Sequence, residues 1–216
     1  MRILVTRPEP GASATAARLA AMGHEAVLAP CLTIAPLPVR LPAQAGAIII
    51  TSGQAVPALP ARFADAPAFC VGDATAERLR AAGFRNVESA SGDAENLYRL
   101  IVARRVAGRH VMVVGRGHGL PLARQLRAAG FAVVRRVVYA AHAVSTLPET
   151  GVLDAALFYS AESARAYVRL RPAGTAGLVA GALSAAVAEP LRGLPWRAIR
   201  VAVAPTEMDL MAVLDE

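Results

Sequence analysis

Lysine is missing from this 216-residue sequence, so all 23 basic residues are arginine, and they outnumber 16 acidic residues to give a net charge of +7. Nucleic-acid-binding proteins usually concentrate such charge in one patch. Here the arginines are scattered, and the densest groups are the pairs Arg104–Arg105 and Arg135–Arg136. Aromatic residues make up only 5%. The charge therefore favours a small acidic ligand, and nucleic acid stays an alternative supported by charge alone.

Cysteine and long apolar runs are scarce as well. The two cysteines, Cys31 and Cys70, lie in or beside apolar segments, which predicts buried free thiols rather than a disulfide framework. No apolar run is long enough to cross a bilayer, although 55% of the residues are hydrophobic. The first residues, MRILVTRP, enter a strand-like run without a cleavable signal pattern. We therefore expect a cytoplasmic protein that does not contact a membrane.

Several cofactor and nucleophile motifs are also absent. GRGHG at 115–119 lacks the third glycine of a dinucleotide-binding fingerprint, and no phosphate-binding P-loop or nucleophile elbow occurs. The four histidines show no metal-ligand spacing with each other or with the cysteines. The sequence predicts chemistry that uses no cofactor, no metal and no covalent nucleophile.

What is present is an alternation of strand-like and helix-like segments. Apolar runs such as 3–6, 47–52, 68–72 and 110–115 are separated by amphipathic patterns such as 14–22, 75–82 and 95–105. This alternation predicts an α/β fold with parallel, doubly wound sheets of the flavodoxin or Rossmann kind.

The chain also repeats itself at a spacing of about 108 residues. Arg7 matches Arg116, 109 positions later, and Ser52 matches Ser160, 108 positions later. Gly72 matches Gly181, again 109 positions later. The sequence therefore predicts two similar α/β domains from an internal duplication.

Two such domains would place their strand ends and helix starts at corresponding edges, and we expect these edges to line a cleft. In FCVGDATAERLRAAGF, 69–84, the turn at Gly72 precedes a helix-like pattern starting at Thr75. Backbone N–H groups at helix starts and glycine turns suit carboxylates or phosphates. The expected cleft residues are Thr51, Ser52, Gly72, Thr75, Tyr159, Ser160, Gly181 and Ser184.

Five segments occur in order over nearly the whole chain: ITSGQAV, VGDATAERLRAAGF, VVYAAHAV, FYSAESARAYV and VAVAPTEMDLMAVL. Their order and spacing resemble the pattern of the uroporphyrinogen-III synthase family. The resemblance implies an enzyme that takes hydroxymethylbilane, a linear tetrapyrrole with eight carboxylates, removes its hydroxyl and closes the ring with inversion of ring D. It implies no cofactor and, we expect, a monomer. A non-catalytic sensor or polyanion-binding module of the same shape is the alternative.

The resemblance also implies a domain map. Domain one comprises about 1–35 with 142–216, and domain two about 40–136. The connecting segments are the linker strands 33–39 and 137–141, which would act as a hinge.

Within the family pattern, Tyr139 matches a recurrent tyrosine that faces the cleft, and we expect it to be catalytic. An aromatic that covers the linker is the other interpretation. Thr75 matches a recurrent threonine, and it is also a natural first-turn or capping residue. Arg7 and Arg116 follow strands where a guanidinium could bind carboxylates, although surface ion pairing would explain them equally well.

The chain departs from the family pattern at three positions. The second TS turn reads YS, with Tyr159; a threonine pair reads LS, with Ser184; and Pro121 replaces a frequent arginine. These departures keep the non-catalytic alternative open.

Overall fold

The computed structural model describes residues 1–214. The chain divides into two compact units. Unit 1 contains residues 1–33 and the segment from His142 onward, and unit 2 contains Ile34–Ala141. Unit 2 is therefore one continuous segment inserted into unit 1.

Parallel strands and helices alternate along the described chain. The first half contains β1 (Arg2–Val5), α1 (Gly11–Ala21), β2 (Glu25–Leu28), β3 (Leu32–Pro36), β4 (Ala47–Ile50), β5 (Ala68–Cys70), α2 (Asp73–Ala81), β6 (Val87–Ser89) and α3 (Ala94–Arg104). The second half contains β7 (Arg109–Gly115), α4 (Leu120–Ala128), β8 (Ala132–Ala143), β9 (Ala155–Phe158), α5 (Ala161–Leu170), β10 (Val179–Ala182), α6 (Ala185–Leu191), β11 (Ala198–Val201) and α7 (Glu207–Ala212). Short 3₁₀ segments lie at Gly53–Ala58, Ala61–Phe63 and Thr175–Gly177.

Both units are built on parallel sheets with one strand order. The sheet of unit 1 runs β11-β10-β9-β1-β2, and that of unit 2 runs β6-β5-β4-β7-β8, with β3 added beside β8. The pairs β4–β5, β4–β7 and β7–β8 of unit 2 are parallel, and so are the pairs β9–β10 and β10–β11 of unit 1. The predicted α/β class with parallel sheets is confirmed, and the common strand order agrees with the predicted duplication.

The chain leaves unit 1 within β3 and returns to it within β8. Two backbone hydrogen bonds show that these strands run antiparallel: Leu37 N–H donates to Val138 O at 2.9 Å, and Val144 N–H donates to Cys31 O at 3.1 Å. The two segments through which the chain passes between the units, in β3 and β8, are thus neighbours in one sheet.

Each sheet buries both of its faces. In unit 2, Ile48 and Ile50 of β4 pack into one core cluster, while Ile49, between them, packs into the cluster on the opposite face. Strands covered on both sides read as continuous apolar runs, because alternate residues have no polar side to face. This is why AIII and VMVV stand out in the sequence.

Three local predictions were incomplete or wrong. Strand β6 was missed because its three residues give no pattern, and α7 was missed because its six residues make fewer than two turns. Helix α2 begins at Asp73, two residues before the predicted start at Thr75.

Candidate functional site

The strand order of each unit reverses direction at one point. In unit 2 the reversal lies between β4 and β7, and in unit 1 it lies between β9 and β1. In open α/β sheets, ligands bind at such a point, beyond the carboxyl ends of the two strands. The residues that follow these four strands are Thr51 and Ser52, Arg116, Tyr159 and Ser160, and Thr6 and Arg7. All of them except Thr6 were predicted from the sequence.

Tyr139 lies on β8, next to the carboxyl end of β7. Val114 of β7 pairs with Val137, but Gly115 pairs with Tyr139, so one extra residue, Val138, bulges from β8. Bulges commonly redirect a side chain near a functional site. Here Val138 and Tyr139 both join the same core cluster, and Tyr139 keeps 8% of its surface exposed.

Gly115 makes room for the tyrosine. A methyl group on Gly115 would lie 2.6 Å from Cζ and 2.8 Å from the hydroxyl oxygen of Tyr139. Real carbon contacts are longer than this, so any other residue at position 115 would displace the phenol. In the sequence this glycine stands out only as part of an incomplete nucleotide fingerprint.

Arg116 is held beside Tyr139 through the backbone. Its N–H donates to Tyr139 O at 2.9 Å, while its side chain is exposed and makes no ion pair within residues 1–214. A second arginine, Arg78 of α2, lies against the same edge, where a methyl group on Gly53 would stand 2.6 Å from its guanidinium. Arg78 was not predicted, because the contact between α2 and the segment after β4 is not local in sequence.

The serines of the two strand-to-helix turns act as helix caps. Ser52 Oγ accepts from Gln54 N–H at 3.3 Å, and Ser160 Oγ accepts from Ser163 N–H at 3.1 Å. Capping satisfies backbone donors that would otherwise face a ligand. Thr51 precedes its serine and is half-buried.

The helix start at Gly72 differs from the expectation. Gly72 is the N-cap residue of α2, with extended backbone, and Thr75 lies in the first turn, where its N–H donates to Gly72 O at 3.0 Å. Asp73 opens the helix, and hydrogen bonds from Ser89 and Ser91 lower the pKa of its carboxyl. A carboxylate already present at this helix start opposes a second anion there.

Gly181 does not form a turn, so that prediction is wrong. It lies inside the buried strand β10, where a methyl group would stand 2.8 Å from Leu157 and 3.0 Å from Val213. Close packing of α7 and β9 explains the glycine. Ser184 is the N-cap residue of α6, and its side chain makes no capping hydrogen bond.

In unit 1 the reversal point holds a network around a carboxylate that was not predicted from the sequence. Glu207, the first residue of α7, accepts hydrogen bonds from Thr15 at 2.5 Å and Tyr159 at 3.1 Å. It also pairs with Arg7 at 3.4 Å and with Arg18. The guanidinium of Arg7 stacks over the ring of Tyr159, 4.1 Å from its centroid. Burial, reinforced by Glu207, raises the pKa of the Tyr159 phenol, which stays protonated and donates.

Within residues 1–214, no group of three or more His, Cys, Asp and Glu side chains lies close enough to hold a metal ion. No helix in this part of the chain has the length and apolar character needed to span a membrane. The expectation of metal-free, cofactor-free chemistry stays a prediction.

Two parallel α/β units of one strand order, each with arginines and hydroxyls at its reversal point, define a two-unit protein suited to acidic ligands. The sequence model of the family Uroporphyrinogen-III synthase HemD matches residues 13–212. The chain belongs to the uroporphyrinogen-III synthase family, and it is thus a cyclising lyase of tetrapyrrole biosynthesis.

Solved structures agree in fold. The uroporphyrinogen-III synthetase from Helicobacter pylori 26695 superposes with a TM-score of 0.67 at 16% identity, over 99% of this chain and 98% of that one. A mutant uroporphyrinogen III synthase from Thermus thermophilus gives 0.54 at 21% identity, over 100% of this chain and 96% of that one. No curated protein sequence matches the chain significantly.

Proposed function

We propose that this synthase acts on hydroxymethylbilane through the reversal point of unit 2, with Tyr139 as the general acid. The observation that carries the proposal is the placement of the Tyr139 phenol against Gly115, at the carboxyl end of β7. The reaction loses a hydroxyl group as water, so a proton must reach that oxygen. A positioned acid typically contributes about 10²- to 10⁴-fold in rate.

Arginines at the same edge supply the binding charge. Arg116 is exposed next to Tyr139, and Arg78 lies against Gly53 beside Ser52. Guanidinium groups bind carboxylates through paired N–H donors, and the substrate carries eight carboxylates. Backbone N–H groups near Gly72 and Ser184 are further candidate donors, although Asp73 makes the first site less favourable.

Ring closure itself depends mainly on holding the two ends of the bilane together. Effective molarities of well-oriented intramolecular reactions reach about 10⁵ M or more, which is worth several kcal/mol of barrier. We assign this task to the arginines, and Tyr139 then acts on the folded substrate. The cation left by loss of the hydroxyl is stabilised chiefly by the pyrroles of the substrate.

The decisive experiment mixes the protein with freshly prepared hydroxymethylbilane and separates uroporphyrinogen isomers I and III. Spontaneous closure gives isomer I, so we expect isomer III at a rate proportional to enzyme concentration. Isomer I alone, at the uncatalysed rate, would favour the non-catalytic polyanion-binding alternative. That the enzyme is a cytoplasmic monomer is a separate proposal, which cell fractionation and light scattering test.

A further inference from the structure

We propose that Arg7, Arg18, Thr15 and Tyr159 form a carboxylate-binding site in unit 1, which Glu207 fills until a carboxylate of the ligand displaces it. This inference rests on the proposed binding of a polycarboxylate, and it adds a site and a competing residue to it. The competing group is part of the chain itself.

The donors around Glu207 converge as they would on a bound ligand. One carboxylate oxygen accepts from Thr15 at 2.5 Å, Tyr159 at 3.1 Å and Arg7 at 3.4 Å, while the other pairs with Arg18. Only 17% of the Glu207 side chain is exposed, so its lost hydration is replaced by these four donors. The arrangement therefore recognises a carboxylate as such, whichever molecule carries it.

The site has more positive than negative charge. Two guanidinium groups face one carboxylate, and the carboxylate of Glu9, just before α1, accepts from the backbone N–H and the hydroxyl of Ser13. The Arg7 guanidinium also lies over Gly11, the first residue of α1, where a methyl group would stand 2.7 Å from its Cζ. The positive end of the α1 dipole adds to this excess. Once the Glu207 side chain moves away, this excess of positive charge therefore favours the binding of an anion from the ligand at the same place.

Glu207 can leave without unfolding unit 1. Besides the contacts of Glu207, helix α7 is anchored by Leu210 and Met211, which are buried in the core of unit 1. The next residue of the helix, Met208, faces water with 72% exposure. Rotation of one side chain toward solvent therefore opens the site while the helix stays docked.

The location of the Glu207 network agrees with a ligand-binding site rather than with an ion-pair network that only stabilises the fold. Arg7 follows β1 and Tyr159 follows β9, the two strands that flank the reversal point of unit 1. This is the position at which ligands bind in open α/β sheets. Arg116 holds the corresponding position in unit 2, where no ion pair within residues 1–214 covers it.

The test uses uroporphyrin I, a stable fluorescent octacarboxylate, and measures its Kd by fluorescence anisotropy at low salt. Glu207→Gln keeps the shape of the side chain and removes its charge, so we expect uroporphyrin to bind about fivefold to tenfold more tightly. The matched control is Glu189→Gln, which removes the same charge from an exposed ion pair with Arg192 in the same unit. It should leave Kd unchanged. Adding Arg7→Gln to Glu207→Gln should abolish the gain.

If folded Glu207→Gln binds uroporphyrin with an unchanged or higher Kd, the proposal is overturned, because the contacts of Glu207 would then only stabilise the fold. Equal tightening in Glu189→Gln also overturns it, because net charge alone would explain the effect. If Glu207→Gln does not fold, Glu207→Asp replaces it. The aspartate keeps the negative charge but is one methylene shorter, so it reaches the four donors less well. We expect Glu207→Asp to bind uroporphyrin more tightly than the wild type, by less than Glu207→Gln would. An unchanged Kd in Glu207→Asp would contradict the proposal. Since the probe does not react, isomer III formation by the wild-type enzyme tests the proposed function separately.

Discussion

The phenol of Tyr139 is packed so closely against Gly115 that a single methyl group at position 115 would lie 2.6 Å from its Cζ. The two residues are paired across β7 and β8 only because the bulge at Val138 shifts the register by one. The lack of a side chain at Gly115 on β7 therefore determines where the ring of Tyr139 on β8 lies.

Replacing this glycine should harm both catalysis and stability. Gly115→Ala forces the phenol away from its position, and overpacking of this size costs about 1–3 kcal/mol. We expect the rate of isomer III formation to fall at least about tenfold, since misplacing a catalytic group by about 1 Å costs up to 10²-fold. Gly177→Ala is the control, because a methyl group there meets nothing within 4 Å. Full activity in Gly115→Ala would show that the phenol position is not important.

Removing the Tyr139 hydroxyl should lower turnover directly. Tyr139→Phe keeps the ring and its packing, so we expect kcat to fall by about 10² or more with KM nearly constant. Tyr98→Phe, on α3 of the same unit, removes the same group at a position outside the site. The product should drift toward isomer I in Tyr139→Phe alone. If isomer III is still formed at the wild-type rate, the acid must be sought elsewhere.

His110 should make the protein less stable in mild acid. It is 1% exposed, Nδ1 lies 3.2 Å from Gly108 O, and Nε2 has no hydrogen-bond partner within the described residues. Burial lowers the pKa of this histidine below its usual value near 6.5. The unfolded chain therefore takes up the proton first, and the free energy of unfolding decreases as the pH falls below about 6.5.

This pH effect can be assigned with two variants. Urea unfolding at about pH 7.5 and about pH 5 should show a smaller loss of stability in His110→Phe than in the wild type. His142→Gln, at an exposed position, should lose as much as the wild type. Equal losses in all three proteins would contradict the role of His110.

Both cysteines should resist alkylation while the protein is folded. Cys31 and Cys70 are free and buried, and burial raises the pKa of their thiols to about 12 and about 11. Since the thiolate is the reactive form, iodoacetamide at about pH 8 should modify neither in the native protein and both in urea. Intact mass measures the result. Rapid labelling of the folded protein would show that one of the thiols is accessible.

The sequence predicted best what is periodic and local. The apolar runs of β4 and β7 identified buried parallel strands, and the repeat placed Arg7 and Arg116 at equivalent edges. Tyr139 was found by its resemblance to a family pattern, since no physical signal in VVYAA marks it as functional.

The rest depended on contacts between distant residues. The hydrogen bond between Thr15 and Glu207 joins positions 192 residues apart, and α7 is too short to show helical periodicity. The bulge at Val138 and the fit of Arg78 against Gly53 are set by neighbouring strands and helices. The prediction of a turn at Gly181 is wrong because the sequence alone does not distinguish a glycine packed within a strand from one in a turn.

The strand order of the two sheets has a consequence for the origin of the chain. Cutting near Gly108 gives one half with β1–β6 and another with β7–β11, and the sequence repeat runs from one half to the other. Neither half contains a complete sheet: unit 1 takes β1 and β2 from the first half and β9–β11 from the second, while unit 2 takes β4–β6 and then β7 and β8. Each sheet thus combines strands from both halves, as each sheet combines strands from both protomers in a domain-swapped dimer. This chain has the topology of such a dimer fused into a single polypeptide, and its halves, separated at Gly108, could complete their sheets only by recombining.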